Sequence, residues 1–177
     1  TDSKGRLLPD AELSRGEFLR MMHKGMTFKG TPYIGREEPF FSDIGTKHPY
    51  FDDIVYFVER RWLTPNPKIA LKPDNPLTRE QMAVWLTRII GYEKRARTLK
   101  SDPQVTRLRD AGQIKDKGAA ALVMKLGLMK PADGAFKPGE RVTRAEAAES
   151  LLKLAEIQSQ LDKPLWTWGY GDEEYGY

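Results

Sequence analysis

Three stretches of the chain place apolar residues on one helical face in the same register. Phe18, Leu19 and Met22 line up with Met82, Ala83 and Leu86, and again with Ala147, Ala148 and Leu151, each set spaced i, i+1, i+4. The spacing predicts three amphipathic helices with one buried face each. Ahead of them stand Ser14, Thr78 and Thr143, followed three residues later by Glu17, Gln81 and Glu146. This is the capping-box pattern, in which the hydroxyl accepts from the third helical amide and the Glu or Gln side chain accepts from the cap residue's own amide.

The agreement extends upstream. Pro9, Pro73 and Pro138 each precede the hydroxyl by five residues, with Leu7, Leu71 and Phe136 two places before the proline and Leu13, Leu77 and Val142 just before the hydroxyl. Ser14 to Thr78 is 64 positions and Thr78 to Thr143 is 65, so the chain repeats a unit of nearly constant length.

Between these helices the sequence Phe41-Ser42-Asp43-Ile44 precedes an apolar run from Ile54 to Leu63, and Leu108-Arg109-Asp110-Ala111 precedes one from Ala119 to Leu128. From Val55 to Pro73 the earlier copy aligns with Ala120 to Pro138 without a gap. Each unit therefore reads as a short helix, a loop through proline and a capped helix. Gly30-Thr31-Pro32 and Ser101-Asp102-Pro103 mark the linkers. The expected fold is all-α, built from a repeated helix-loop-helix unit.

Arginine follows the cap hydroxyl in all three copies, as Arg15, Arg79 and Arg144. A cation at the first helical position opposes the helix dipole, so another interaction favours it. The residues leave two roles open: pairing with carboxylates or carbonyls inside the fold, or holding an anionic ligand in a groove.

Composition narrows the functional classes. At 177 residues, 40% hydrophobic and 31% charged, the chain belongs with packed globular proteins. The absence of cysteine removes disulfides, thiolate metal sites and cysteine nucleophiles. A net charge of +4 is spread along the chain without a polybasic run, and no partnership with nucleic acid is expected. No apolar stretch approaches the roughly 18 residues of a membrane span, and the polar opening from Thr1 to Arg6 is not a secretory signal. His23 and His48 lack ligand spacing, so no metal site is expected. There is no nucleophile with a base, no glycine-rich phosphate loop and no zinc motif, which argues against an enzyme and against a cofactor. Asp52-Asp53 reads as negative charge favourable to a helix start. Trp62 and Trp85 read as core or groove-wall residues.

The succession Phe-x-Asp-Ile, amphipathic helix, Gly-Leu, Gly-Ala-Phe-x-Pro and Val-Thr-Arg-Ala-Glu resembles the S-layer homology motif. Residues 105–156 carry the fullest version, 41–92 a second, and 1–26 the closing half of another. The resemblance implies a domain over residues 1–160 in which three motifs form a pseudo-threefold helical bundle. It further implies a noncatalytic, extracellular anchor in the cell wall or S-layer, whose intermotif grooves bind an anionic, pyruvylated secondary cell-wall polysaccharide. Arg15, Arg79 and Arg144, with Trp62 as a groove wall, fall at the positions that would face the sugar. An alternative is a structural subunit that uses the same fold to dock other surface-layer or surface-assembly proteins.

The sequence departs from the family pattern in three places. The opening helix of the first motif is missing before Gly5, through removal from a longer protein or supply by another chain. The Gly-Ile-x-x-Gly turn is replaced by Trp62-Leu63-Thr64-Pro65-Asn66-Pro67, only Gly127-Leu128 keeping the glycine. The His-Trp-Ala opening is absent, with His48-Pro49-Tyr50-Phe51 near its place. Residues 161–177 form a separate tail rich in aromatic, glycine and acidic residues, whose Trp166 and Trp168 could pack on the domain, meet a partner or stack on sugar.

Overall fold

The computed structural model describes residues 8–25 and 40–160. The first residues, the Gly30-Thr31-Pro32 linker and the aromatic tail lie outside them. The described residues form seven helices and no sheet: α1 (Arg15–Gly25), α2 (Phe51–Glu59), α3 (Arg79–Ile89), α4 (Glu93–Thr98), α5 (Pro103–Thr106), α6 (Lys117–Lys125) and α7 (Arg144–Ser159). The protein is all-α, and it divides into two compact units, Ser14–Pro76 and the combination of Thr1–Leu13 with Leu77–Tyr177.

In the larger unit the core is built around α6. Its residues from Gly118 to Met124 are all buried, which an apolar run achieves only when neighbours cover every side. Those neighbours are α3, α4 and α5. Gly118 is required at the crossing with α4, because a Cβ there would come within 2.2 Å of the Ala96 carbonyl oxygen. Phe136, Leu77, Val142, Met82 and Leu86 are likewise fully enclosed.

The three apolar residues that precede the helix caps hydrogen-bond in a closed ring. Leu13 N–H donates to the Val142 carbonyl, Val142 N–H to Leu77, and Leu77 N–H to Leu13, each at 2.8 Å. The proline loops have a related task. Arg79 and Glu80 N–H donate to the carbonyls of Glu140 and Pro138, Arg144 and Ala145 N–H to those of Ala11 and Pro9. These are the first helical amides of α3 and α7, which have no partner within their own helices. The proline five residues before each cap thus supplies the acceptor for a helix of another repeat.

In the smaller unit α1 packs on α2. Here Arg15 and Gly16 N–H donate to the carbonyls of Asn75 and Pro73, repeating the same scheme. Asp53, expected only to favour the start of α2, is 6% exposed and ties the two helices together. Its carboxylate accepts from Arg20 Nε at 2.9 Å and meets His23 Nδ1 at 2.9 Å, while His23 stacks on Tyr56 with ring centres 4.0 Å apart.

The gapless alignment of Val55–Pro73 with Ala120–Pro138 requires correction. Trp62 and Leu63 N–H both return to the Phe57 carbonyl, and Leu128 and Met129 N–H both return to Val123, which makes Arg61 and Gly127 equivalent. Both stand in the left-handed region, at φ 59° and 68°. Leu71 and Phe136 are equivalent as well, so the intervening loop is one residue shorter in the later repeat. An arginine therefore occupies the helix-terminating place where the other copy has glycine.

Candidate functional site

All three helices open on a complete capping box. Glu17 N–H donates to Ser14 Oγ at 3.1 Å and Ser14 N–H to Glu17 Oε2 at 2.9 Å. The pairs Thr78 with Gln81 and Thr143 with Glu146 repeat this at 3.0 to 3.3 Å. The cap oxygens, caps' own amides and borrowed carbonyls leave the helix starts satisfied, with the arginine side chains held just beside them.

Arg79 is the most buried of the three, its side chain 8% exposed. Its Nε donates to the Phe136 carbonyl at 2.8 Å, Nη2 to the Lys130 carbonyl at 2.7 Å, and Nη1 pairs with Glu146 Oε1. The loop that presents the Phe136 carbonyl is itself fixed by Asp110, whose two carboxylate oxygens accept from Phe136 N–H at 2.9 Å and Lys137 N–H at 2.6 Å. Lys137 follows with φ 58°. Asp43 does the same in the smaller unit, accepting from Leu71 and Lys72 N–H at 2.8 and 2.7 Å, and Arg15 Nη1 donates to the Leu71 carbonyl at 2.8 Å. Sequence reasoning saw Asp43 and Asp110 as repeated positions but gave them no task. Their recurrence ahead of the proline loop, 28 residues before Leu71 and 26 before Phe136, was the available signal.

Beside Arg79 lies an open groove of about 420 Å³. The turn from Gly127 to Lys130 makes one wall and α7, through Glu146, Glu149, Ser150, Leu152, Lys153 and Glu156, makes the other. Ser150 Oγ donates to the Leu128 carbonyl at 2.6 Å and so joins the walls at the floor. Three cations, Arg79, Lys130 and Lys153, line the groove together with three carboxylates, Glu146, Glu149 and Glu156. A guanidinium has five N–H donors, and three are committed, which leaves one on each Nη.

The other candidates are placed elsewhere. Arg15 and Arg144 are half-buried and do not line this groove. Trp62 is 5% exposed, edge-on to Tyr56 and Phe57 at 6.0 and 5.4 Å, with the Arg60 guanidinium 3.4 Å from the Tyr56 ring centre. Of the two placements open to Trp62, it takes the core. Burial there pushes the Tyr56 phenol up, partly offset by Arg60, and pushes the Arg60 guanidinium down. His23 pairs with Asp53, and His48 Nδ1 accepts from Tyr50 N–H at 3.2 Å.

Residues 107–148 match the family model of the S-layer homology domain, and the matched stretch contains Asp110, the Gly127 turn, Phe136 and the Thr143 cap. Over residues 107–148 the chain carries an S-layer homology domain. No curated protein matches the chain. S-layer homology domains are noncatalytic modules of cell-surface anchoring, typically to cell-wall polysaccharide, and the match associates this chain with the cell surface or S-layer. No helix among the described residues is long and apolar enough to cross a membrane.

Proposed function

We propose that residues 1–160 form one pseudo-threefold S-layer homology unit, with motifs at 1–26, 41–92 and 105–156, that anchors a secreted protein to a pyruvylated secondary cell-wall polysaccharide. The ring of hydrogen bonds through Leu13, Val142 and Leu77 supports the threefold arrangement, because each repeat gives and takes one bond. The observation that carries the binding role is the Arg79 groove. Its floor holds an arginine fixed in direction by two carbonyls, with a free N–H on each Nη, a fork that suits the carboxylate of a pyruvyl ketal. Arg15 and Arg144 are the corresponding residues of the other two motifs. The tail at 161–177 lies beyond the unit.

Leu152, at the groove rim and 71% exposed, favours a second use: docking of a protein partner within a surface assembly. Retention on protein-free wall sacculi at physiological salt separates the two. The anchoring reading expects the chain to be retained, the loss to be several-fold for Arg79→Lys when the variant is still helical, and retention to fall when mild acid has removed the pyruvyl ketals. Failure of the wild-type chain to bind sacculi would leave the docking role.

A further inference from the structure

A second groove of about 390 Å³ lies in the larger unit between α3, α4 and α6, and shares no lining residue with the Arg79 groove. Val84, Ala96 and Ala119 line it together with Thr87. Its charged residues are Arg88, Arg97, Lys100 and Lys115, against Glu93 and Asp116. The two anions are already engaged. Glu93 lies 3.7 Å from Arg88 Nε, and Asp116 accepts from the Ala119 amide at 2.9 Å as the cap of α6. Arg97, Lys100 and Lys115 are exposed and have no ion-pair partner among the described residues.

Thr87 adds an independent sign. It is 3% exposed, and its Oγ1 is buried without a hydrogen-bond partner among the described residues. A buried hydroxyl left unpaired is costly, and an acceptor entering the groove would relieve that cost. Three cations on two sides of the groove, two of them lysines that act as point charges, match a multiply charged tetrahedral anion better than a single planar carboxylate.

We propose that this groove is an anion site for a phosphate group, held by Arg97, Lys100 and Lys115 with Thr87 donating from the floor. The site is separate from the Arg79 groove and does not depend on the polysaccharide assignment. It gives the domain a second handle for a phosphorylated ligand, whether free phosphate or the phosphodiester of a polymer.

The test is amide-resolved NMR of the full chain titrated with inorganic phosphate, and in a second arm with poly(glycerol phosphate), each against sodium chloride of equal ionic strength. Saturable shifts are expected at residues 87, 97, 100 and 115, with at least a tenfold weaker apparent affinity in the double variant Arg97→Gln, Lys115→Gln. Thr87→Val should weaken phosphate binding while raising the melting temperature, a combination that a merely structural threonine would not give. Saturation by both titrants assigns the site to the phosphate group itself, and saturation by the polymer alone to its phosphodiester. Shifts reproduced by chloride, or unaltered in the double variant, would overturn the proposal.

Discussion

Glu146 holds Arg79 with one carboxylate oxygen and closes the capping box of its own helix with the other. A residue that the sequence marks as a helix cap therefore also fastens α7 to the first turn of α3. The cation at the first position of α3, unfavourable to the dipole by itself, is compensated by this carboxylate and by two carbonyl oxygens.

The two tasks of Glu146 separate by substitution. Gln81 shows that an amide can complete the box, since its Oε1 accepts from Thr78 N–H at 3.1 Å. Glu146→Gln should thus keep the cap and lose only the ion pair, costing about 1 kcal/mol or less because Glu146 is about a third exposed. Glu146→Ala should lose both, about 2 kcal/mol. Arg79→Ala should cost about 2–4 kcal/mol by leaving the Phe136 and Lys130 carbonyls without their donor. Chemical denaturation of the three variants checks the order, and equal losses for Gln and Ala at 146 would refute the division.

Asp110 should prove as important to the groove as the arginine it never touches. Asp110→Ala removes the acceptor of two backbone amides in the loop that presents Phe136, with an expected loss of about 2–3 kcal/mol. Asp110→Asn keeps one acceptor oxygen and should recover part of it. The same pair at Asp43 is expected to act on the smaller unit. Amide exchange at Phe136 and Lys137 reads the effect directly; protection that survives Asp110→Ala would show that the loop holds itself.

The capped helices were legible in the sequence because their signals are local, whereas α4 and α5 were not, and Asp102-Pro103, expected to mark a linker, caps and opens α5. A hydroxyl, a Glu or Gln three places on, and an apolar i, i+1, i+4 face fix both the start and the buried side of α1 and α3; in α7 they fix the start alone, because Ala148 is exposed and Leu151 half-buried while Ser150 and Leu154 join Ala147 on the buried side. The proline's acceptor role was not legible, since its carbonyl serves a helix of another repeat, far along the chain. The equivalence of Arg61 and Gly127 was hidden for a different reason. Residue identity suggested a gapless match, whereas the left-handed turn selects a conformation that arginine can adopt at some cost. The arginines illustrate the limit most clearly: their recurrence announced a task, and only the carbonyls of Phe136, Lys130 and Leu71 show how they are held.

The α4–α6 crossing leaves no room at Gly118. Gly118→Ala would drive its methyl group against the Ala96 carbonyl, which is backbone and cannot turn aside. The expected cost is about 1–3 kcal/mol, the range for overpacking a well-filled interior. Thermal unfolding followed by circular dichroism measures it. A neutral outcome would mean that α4 can slide off α6 cheaply, and the groove between them would then be a loose feature.

The closed ring of hydrogen bonds makes the short stretch before Ser14 a structural part of the larger unit. Removal of residues 1–13 takes away the acceptors of three amides at once: Leu13 for Leu77, Ala11 for Arg144 and Pro9 for Ala145. It also removes the side chain of Leu13, which is 2% exposed, and the donor to the Val142 carbonyl. Each buried amide left without a partner costs about 1–3 kcal/mol, so the shortened chain should melt about 10 °C lower or more. Hydrogen exchange distinguishes this from a general loosening. Protection should vanish first at Leu77, Arg144 and Ala145, while Leu86 and Ile90, inside or at the end of α3, keep theirs until global unfolding. If the three amides stay protected in the shortened chain, water or a rearranged loop has replaced the ring, and the repeats do not depend on one another through it.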